Sequence, residues 1–217
     1  DLSVVNKTAE QYYKILEGFK QQPAINHFGL YRQSIYNFQN YSDKPYILQG
    51  LYFDEDRRLS AFVESRDDLS AFTMYLNKIM LAYHYGYYEK ALLYITKAKK
   101  HIKGVAGLFQ TVMYVFYSTL VYFAVFKSTN ILNRILLSQN ISRNIKKISE
   151  WTRLNPQNML NKLMLLKAEN ERIRNNTVAA IEYYDKAIRL AHDQNFISEE
   201  ALANELAGKY WVSQNVT

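Results

Sequence analysis

Four histidines and three knots of carboxylates are the side chains that could move a proton or hold a metal ion. His27, His84, His101 and His192 stand far apart, and none has a second ligand three or four residues away. That spacing would put two ligands on one helical face, so without it each histidine reads as a surface or interface residue. The carboxylates gather as Asp54, Glu55 and Asp56, as Asp67 and Asp68, and as Glu199 and Glu200. The second and third groups fall where helices should begin, and acids there favour the helix dipole. The first runs directly into Arg57 and Arg58, which points to local ion pairing rather than a general acid–base pair. None of the seven glycines builds a phosphate loop, and there is no Gly-x-Ser-x-Gly elbow. With no Cys in the chain, disulfides and thiolate nucleophiles are excluded and the usual zinc sites lose their main ligand. No catalytic, cofactor or metal site is expected, so the chain itself is not expected to be an enzyme.

The cations need their own reading, because the formal net charge is +7. Lys97, Lys99, Lys100, His101 and Lys103 form the densest cluster, followed by Arg143, Lys146, Lys147 and Arg153. Both lie where a helix should end or face water, so dipole compensation and solvation account for them. The competing reading is a phosphate-binding surface. Five Asn-x-Ser/Thr sequons occur, as expected by chance in an Asn-rich chain.

The elements that carry these groups should be helices. Seven Gly and three Pro are too few turns for a sandwich or barrel. A first amphipathic helix is expected from about Thr8 to Gln21 with Tyr12, Ile15, Leu16 and Phe19 inward. Pro23 suits the first turn of a second, carrying Phe28, Tyr31, Ile35 and Phe38. Residues 45–65 are the least regular, a loop or short helices around Gly50. Asp67 or Asp68 should cap a helix ending near Tyr85, Gly86 should turn the chain, and a partner helix should run from Tyr88 to about Lys103. Val105–Phe126 has no charged residue and could span a bilayer by length alone. Its Gln110, Thr111, Ser118 and Thr119, with amphipathic neighbours on both sides, favour a helix buried in protein. A polar helix from Asn130 to Leu154 should use Ile135, Ile141, Ile145, Ile148 and Trp151 for packing. Asn158–Asn175 and Val178–Gln194 should form a hairpin, with a last helix through Leu202, Leu206 and Tyr210.

Small residues give these helices a repeat. Ala91 and Ala98 in GYYEKALLYITKAKKHI recur as Ala180 and Ala187 in RNNTVAAIEYYDKAIRL, seven residues apart each time. Such spacing marks the second helix of a tetratricopeptide-type hairpin, where a neighbouring helix comes close. Ala168 and Ala207 take matching first-helix positions, yet they lie further apart than the period of about 34 residues. The expected fold is therefore all-α, an irregular tetratricopeptide-like helical-hairpin solenoid of about ten helices. It should be one domain over 1–217, with divergent helices in 1–66 and repeat-like hairpins in 67–217. The first helix of each pair would line a concave partner groove with Thr73, Leu76, Met80 and Tyr83. Lys162, Glu169 and Arg172 would follow, then Asn204, Gly208 and Trp211. The alternative is that the divergent terminal pieces pack into this groove and fill it.

Residues 67–103 and 151–210, above all EYYDKAIRLAHDQNFISEEALANELAGKY, resemble a helical region of very large bacterial signalling proteins common in cyanobacteria. YFDED and GVAGLFQTVMYVFYSTL are similar to it as well. Those proteins join a serine/threonine-kinase domain, a predicted ATPase, this tetratricopeptide-like region, a GAF domain and often a histidine kinase. The resemblance implies a cytoplasmic, non-catalytic protein-interaction and signal-relay module, partnered by other domains of the same polypeptide or by another signalling protein. The alternatives are a small-molecule or peptide sensor regulating the attached kinase and, third, a basic nucleic-acid-binding domain. A membrane partner is not expected, and nucleic acid is the least favoured. The missing initiator Met and the half-repeat at ANELAGKYWVSQNVT suggest an excised piece. Self-association through Leu206, Tyr210 and Trp211 is then expected.

Overall fold

The computed structural model describes residues 2–19, 22–40 and 42–214. Among them the chain is all-α, with ten α-helices and one short 3-10 turn, and only an isolated antiparallel bridge from Gln49 to Asp54. It divides into two compact units, residues 1–114 and 115–217.

The first unit holds α1 (Leu2–Gly18), α2 (Gln22–Gln39), α3 (Glu55–Glu64), α4 (Asp68–His84) and α5 (Tyr88–Lys99). The 3-10 turn Ile102–Val105 and the first residues of α6 (Phe109–Val125) complete it. Every residue of α4 from Ser70 to Tyr83 except Met80 is buried, because α2, α3, α5 and the 3-10 turn all pack on it. Asp67 starts α4 as expected, its carboxylate accepting from the Ser70 amide at 3.0 Å. Ala91 and Ala98 are fully buried, the close helix approach that their spacing implies.

Two helical faces differ from expectation. On α1 the inward face runs through Ala9, Tyr13 and Leu16, while Tyr12, Ile15 and Phe19 are exposed. α1 packs along α2, and the small Ala9 is buried on it. On α2 the buried face is largely polar: Leu30 with Arg32, Gln33, Ser34 and Asn37, whereas Phe28, Ile35 and Phe38 are half-buried and Tyr31 and Tyr36 exposed. The reason is the segment after it, whose backbone carbonyls and amides need partners. Asn37 Nδ2 donates to the carbonyls of Pro45 (2.8 Å) and Ile47 (2.7 Å), and Gln33 Oε1 accepts from the Tyr52 amide at 3.1 Å. Gly29 lets this segment close in, since a Cβ there would lie 2.5 Å from the Tyr52 carbonyl oxygen.

The second unit holds the rest of α6, then α7 (Ile131–Leu154), α8 (Pro156–Ile173), α9 (Thr177–Asp193) and α10 (Ile197–Ser213). α8 is its core, packed by α7, α9 and α10, with Met159, Leu163, Met164, Leu165, Leu166 and Ala168 all buried. Ala180 and Ala187 of α9 are buried against it. Asn130 caps α7 through the Asn133 amide at 2.9 Å. Asn155 alone separates α7 from α8, closing one helix and capping the next before Pro156. On α7, Ile141 and Ile148 are buried and Ile145 and Trp151 half-buried, but Ile135 is exposed together with Ile131, Leu132 and Leu136. The expected inward stripe therefore begins only where α8 runs alongside. Expected from Val105, the apolar helix α6 starts at Phe109, after a turn in which Gly107 has φ +79°. Among the described residues no helix is long and apolar enough to cross a membrane.

One loop conformation recurs. After α3, α4, α8 and α9 the chain turns in three residues with Arg66, Gly86, Asn175 and Asn195 in the left-handed region. In each, the following amide donates five residues back, as Asp67 to Phe62 (2.8 Å), Tyr87 to Ala82 (2.7 Å), Asn176 to Glu171 (3.0 Å) and Phe196 to Ala191 (2.9 Å). These are Schellman caps, which satisfy carbonyls that a helix end leaves open.

Candidate functional site

Of the ten residues expected to line a groove, four lie in the first unit and six in the second. Thr73, Leu76 and Tyr83 are buried within the first unit and Met80 is half-buried, because the divergent N-terminal helices α2 and α3 lie on α4. In the second unit Lys162 and Glu169 are buried and Arg172 is largely covered. Asn204 is exposed, and Gly208 and Trp211 are half-buried on α10. Of the six in the second unit, the three on α10 are thus the more accessible. Tyr210, expected in an apolar patch, is buried too: its ring lies 5.8 Å from that of Tyr184 and its hydroxyl bonds Thr177 Oγ1 at 3.1 Å.

What lies along α4 and α8 instead is a set of buried ion pairs. Lys78 is covered, and its ammonium meets both carboxylate oxygens of Glu55 from α3. Glu55 also accepts from the Leu48 amide, while the Tyr94 ring lies 4.7 Å from the ammonium. Burial pulls this ammonium below the usual lysine value, and Glu55 opposes that pull. The acidic run 54–56 therefore does not pair with Arg57 and Arg58 as expected. Asp54 caps α3 at the Arg57 amide, and Glu55 turns inward to a cation 23 residues away.

Lys162 repeats the arrangement on α8. Its ammonium bonds Glu199 of α10 at 2.8 Å, with the Phe196 ring at 5.0 Å and the Asn158 carbonyl at 3.3 Å. Phe116, Asn161, Leu165 and Ala203 close around the pair and leave no space for a water molecule. Burial alone would raise the Glu199 carboxyl, but Lys162 and the Ser198 hydroxyl outweigh it and hold it below the usual value. Two turns further along, Glu169 accepts from Arg172 Nε (3.0 Å) and Nη2 (2.7 Å) on one oxygen and from the Tyr184 hydroxyl on the other. Burial, with the Glu169 carboxylate beside it, pushes the Tyr184 phenol far up.

The histidines have structural partners. His101 Nδ1 lies 2.7 Å from Asp68 Oδ1, and His192 Nδ1 lies 3.1 Å from Glu200 Oε1. His27 packs edge-on against Tyr31 at 5.2 Å and His84 against Phe38 at 5.5 Å. No group of three or more metal-ligand side chains occurs among the described residues.

An accessible concavity lies elsewhere, between α7 and α8. It encloses about 410 Å³. From α7 it takes Ser142, Ile145, Lys146, Ser149, Glu150 and Arg153, a stripe stepping by three and one along one helical face. From α8 come Lys167 and Asn170, with Arg174 just past its end. Four cations thus face one carboxylate. Lys146 and Arg153 belong to the basic cluster visible in the sequence, but Lys167 and Arg174 join them only because α8 folds back along α7. Comparison with protein families, with characterised proteins and with solved structures finds no match.

Proposed function

We propose that the chain is a non-catalytic protein-interaction and signal-relay module of a multidomain signalling kinase, with a solenoid-like stacking of its hairpins. The observation that carries this reading is how the ionisable groups are used. Lys78, Lys162, Glu55 and Glu199 each spend their charge on a neighbouring helix, Glu169 on Arg172 of its own helix, and Asp54 and Asp67 on helix caps. Groups so engaged hold helices in register; they do not present a reactive atom to a substrate. The three-residue capped loops likewise support closely stacked hairpins. The kinase context rests on the resemblance of residues 67–103 and 151–210, and partners are sought among the other domains of the same polypeptide.

Two measurements test it. The purified chain should neither release phosphate from ATP nor phosphorylate added protein, and steady turnover above buffer would sink the non-catalytic reading. In the full-length parent, replacing Asn204 and Trp211 by alanine should change kinase output while the melting temperature stays the same. Unchanged output after deletion of the whole region would remove the relay role.

A further inference from the structure

We propose that the α7–α8 cleft is a binding site for a small organic phosphate. Its volume of about 410 Å³ lies in the range of small-molecule pockets, roughly 300–1,000 Å³. Its charge is lopsided: Lys146, Arg153, Lys167 and Arg174 against Glu150 leave +3 from four cations less one carboxylate. Elsewhere in the same unit the buried cation Lys162 and the half-buried Arg172 are held by carboxylates. In the cleft that hold is weaker. Among the described residues Lys146 and Arg153 have no ion-pair partner, and Glu150 has none either. Lys167 rests 5.5 Å from the Tyr183 ring, and Arg174 has only a loose 3.6 Å contact with Glu171. Four like charges gathered in a concavity repel one another, and a multiply charged anion seated among them turns that repulsion into attraction.

The neutral lining narrows the ligand. Two guanidinium groups offer the planar fork that phosphate oxygens accept in pairs. The hydroxyls of Ser142 and Ser149 add donors of ordinary strength. Glu150 would repel a bare polyphosphate, yet it accepts from a hydroxyl or amine, and Ile145 offers an apolar wall. Phosphate oxygens at one end and a donor-bearing organic part at the other fit that division. A polynucleotide would need a charged track longer than this short cleft.

The test is calorimetric titration of the whole chain with glucose 6-phosphate, adenosine diphosphate and inorganic pyrophosphate at about 0.15 M salt. At least one organic phosphate should bind saturably and more tightly than pyrophosphate. Lys146→Gln with Lys167→Gln should weaken that binding tenfold or more, whereas Lys99→Gln with Lys100→Gln should leave it within twofold. Arg153→Gln, a single exposed change, should weaken it on its own. Glu150→Gln should weaken the organic ligand and strengthen pyrophosphate. Unchanged binding in the cleft variants, or equal losses in the Lys99/Lys100 control, would overturn the site. Saturation by none of the three probes would overturn it as well. Pyrophosphate binding as tightly as the organic phosphates, or displacement of either by a short oligonucleotide at lower concentration, would overturn the ligand class.

Discussion

Lys162 shows what a buried charge asks of its surroundings. An ammonium taken out of water costs several kcal/mol unless a partner of good geometry meets it, and Glu199 does so at 2.8 Å. Glu199→Gln should therefore cost about 3 kcal/mol in urea unfolding, because it leaves Lys162 charged and unpaired. Replacing both by apolar residues of like size should recover most of that loss, and a double variant as unstable as the single would contradict this account. The pH dependence follows from the same pair. The Glu199 carboxyl is held below its usual value near 4.5, so its contribution is complete above that pH. It is lost as pH falls through the lower folded value, where the native state at last takes up the proton. In Glu199→Gln the acid limb of the stability curve should be shallower than in the wild type. Tyr184→Phe tests the neighbouring cluster. Removing the donor leaves one Glu169 oxygen unsatisfied, at a cost of about 1–3 kcal/mol by thermal or chemical unfolding.

Helices and their joints are unevenly legible in the sequence, and the reasons are local. Alanine spacing, Asp67, Gly86, Asn130 and Pro156 act through the backbone within a few residues, so their effects are visible in a string. The inward faces of α1 and α2 are not, because they depend on what packs there. Polar Gln33 and Asn37 are buried to serve the carbonyls and amides of residues 45–52, and periodicity scores such residues as outward. The same limit hid the cleft: Lys146 and Lys167 meet only after the α7–α8 turn. Nor did the sequence reveal that Arg66, Asn175 and Asn195 play the part of Gly86. Left-handed backbone costs a residue with a Cβ about 1 kcal/mol, so Arg66→Gly should raise stability by roughly that amount. Ala187→Leu should do the reverse, lowering it by about 1–3 kcal/mol through overpacking against α8. Equal melting temperatures for wild type and Arg66→Gly would show that the strain is relieved elsewhere.

Across the whole molecule the abundance of tyrosine sets the alkaline limit. Burial raises the phenols of Tyr75 and Tyr94 in one unit and of Tyr117, Tyr122 and Tyr184 in the other, above the usual value of 10.0. An acid raised on folding stabilises fully below its unfolded value and loses that contribution as pH climbs towards the folded one. Helicity should hold to about pH 10 and then collapse together with a jump in phenolate absorbance. A single smooth tyrosine titration with helicity intact would refute this.

Asn155, the lone residue between α7 and α8, fixes the rotational phase of one helix against the other. One added residue would turn α8 by about 100° about its axis, since each helical residue advances the chain by that angle. Lys167 and Arg174 would swing away from Lys146 and Arg153, although every side chain of the constellation would still be present. Chain length at a single joint, as much as residue identity, decides whether these four charges add up.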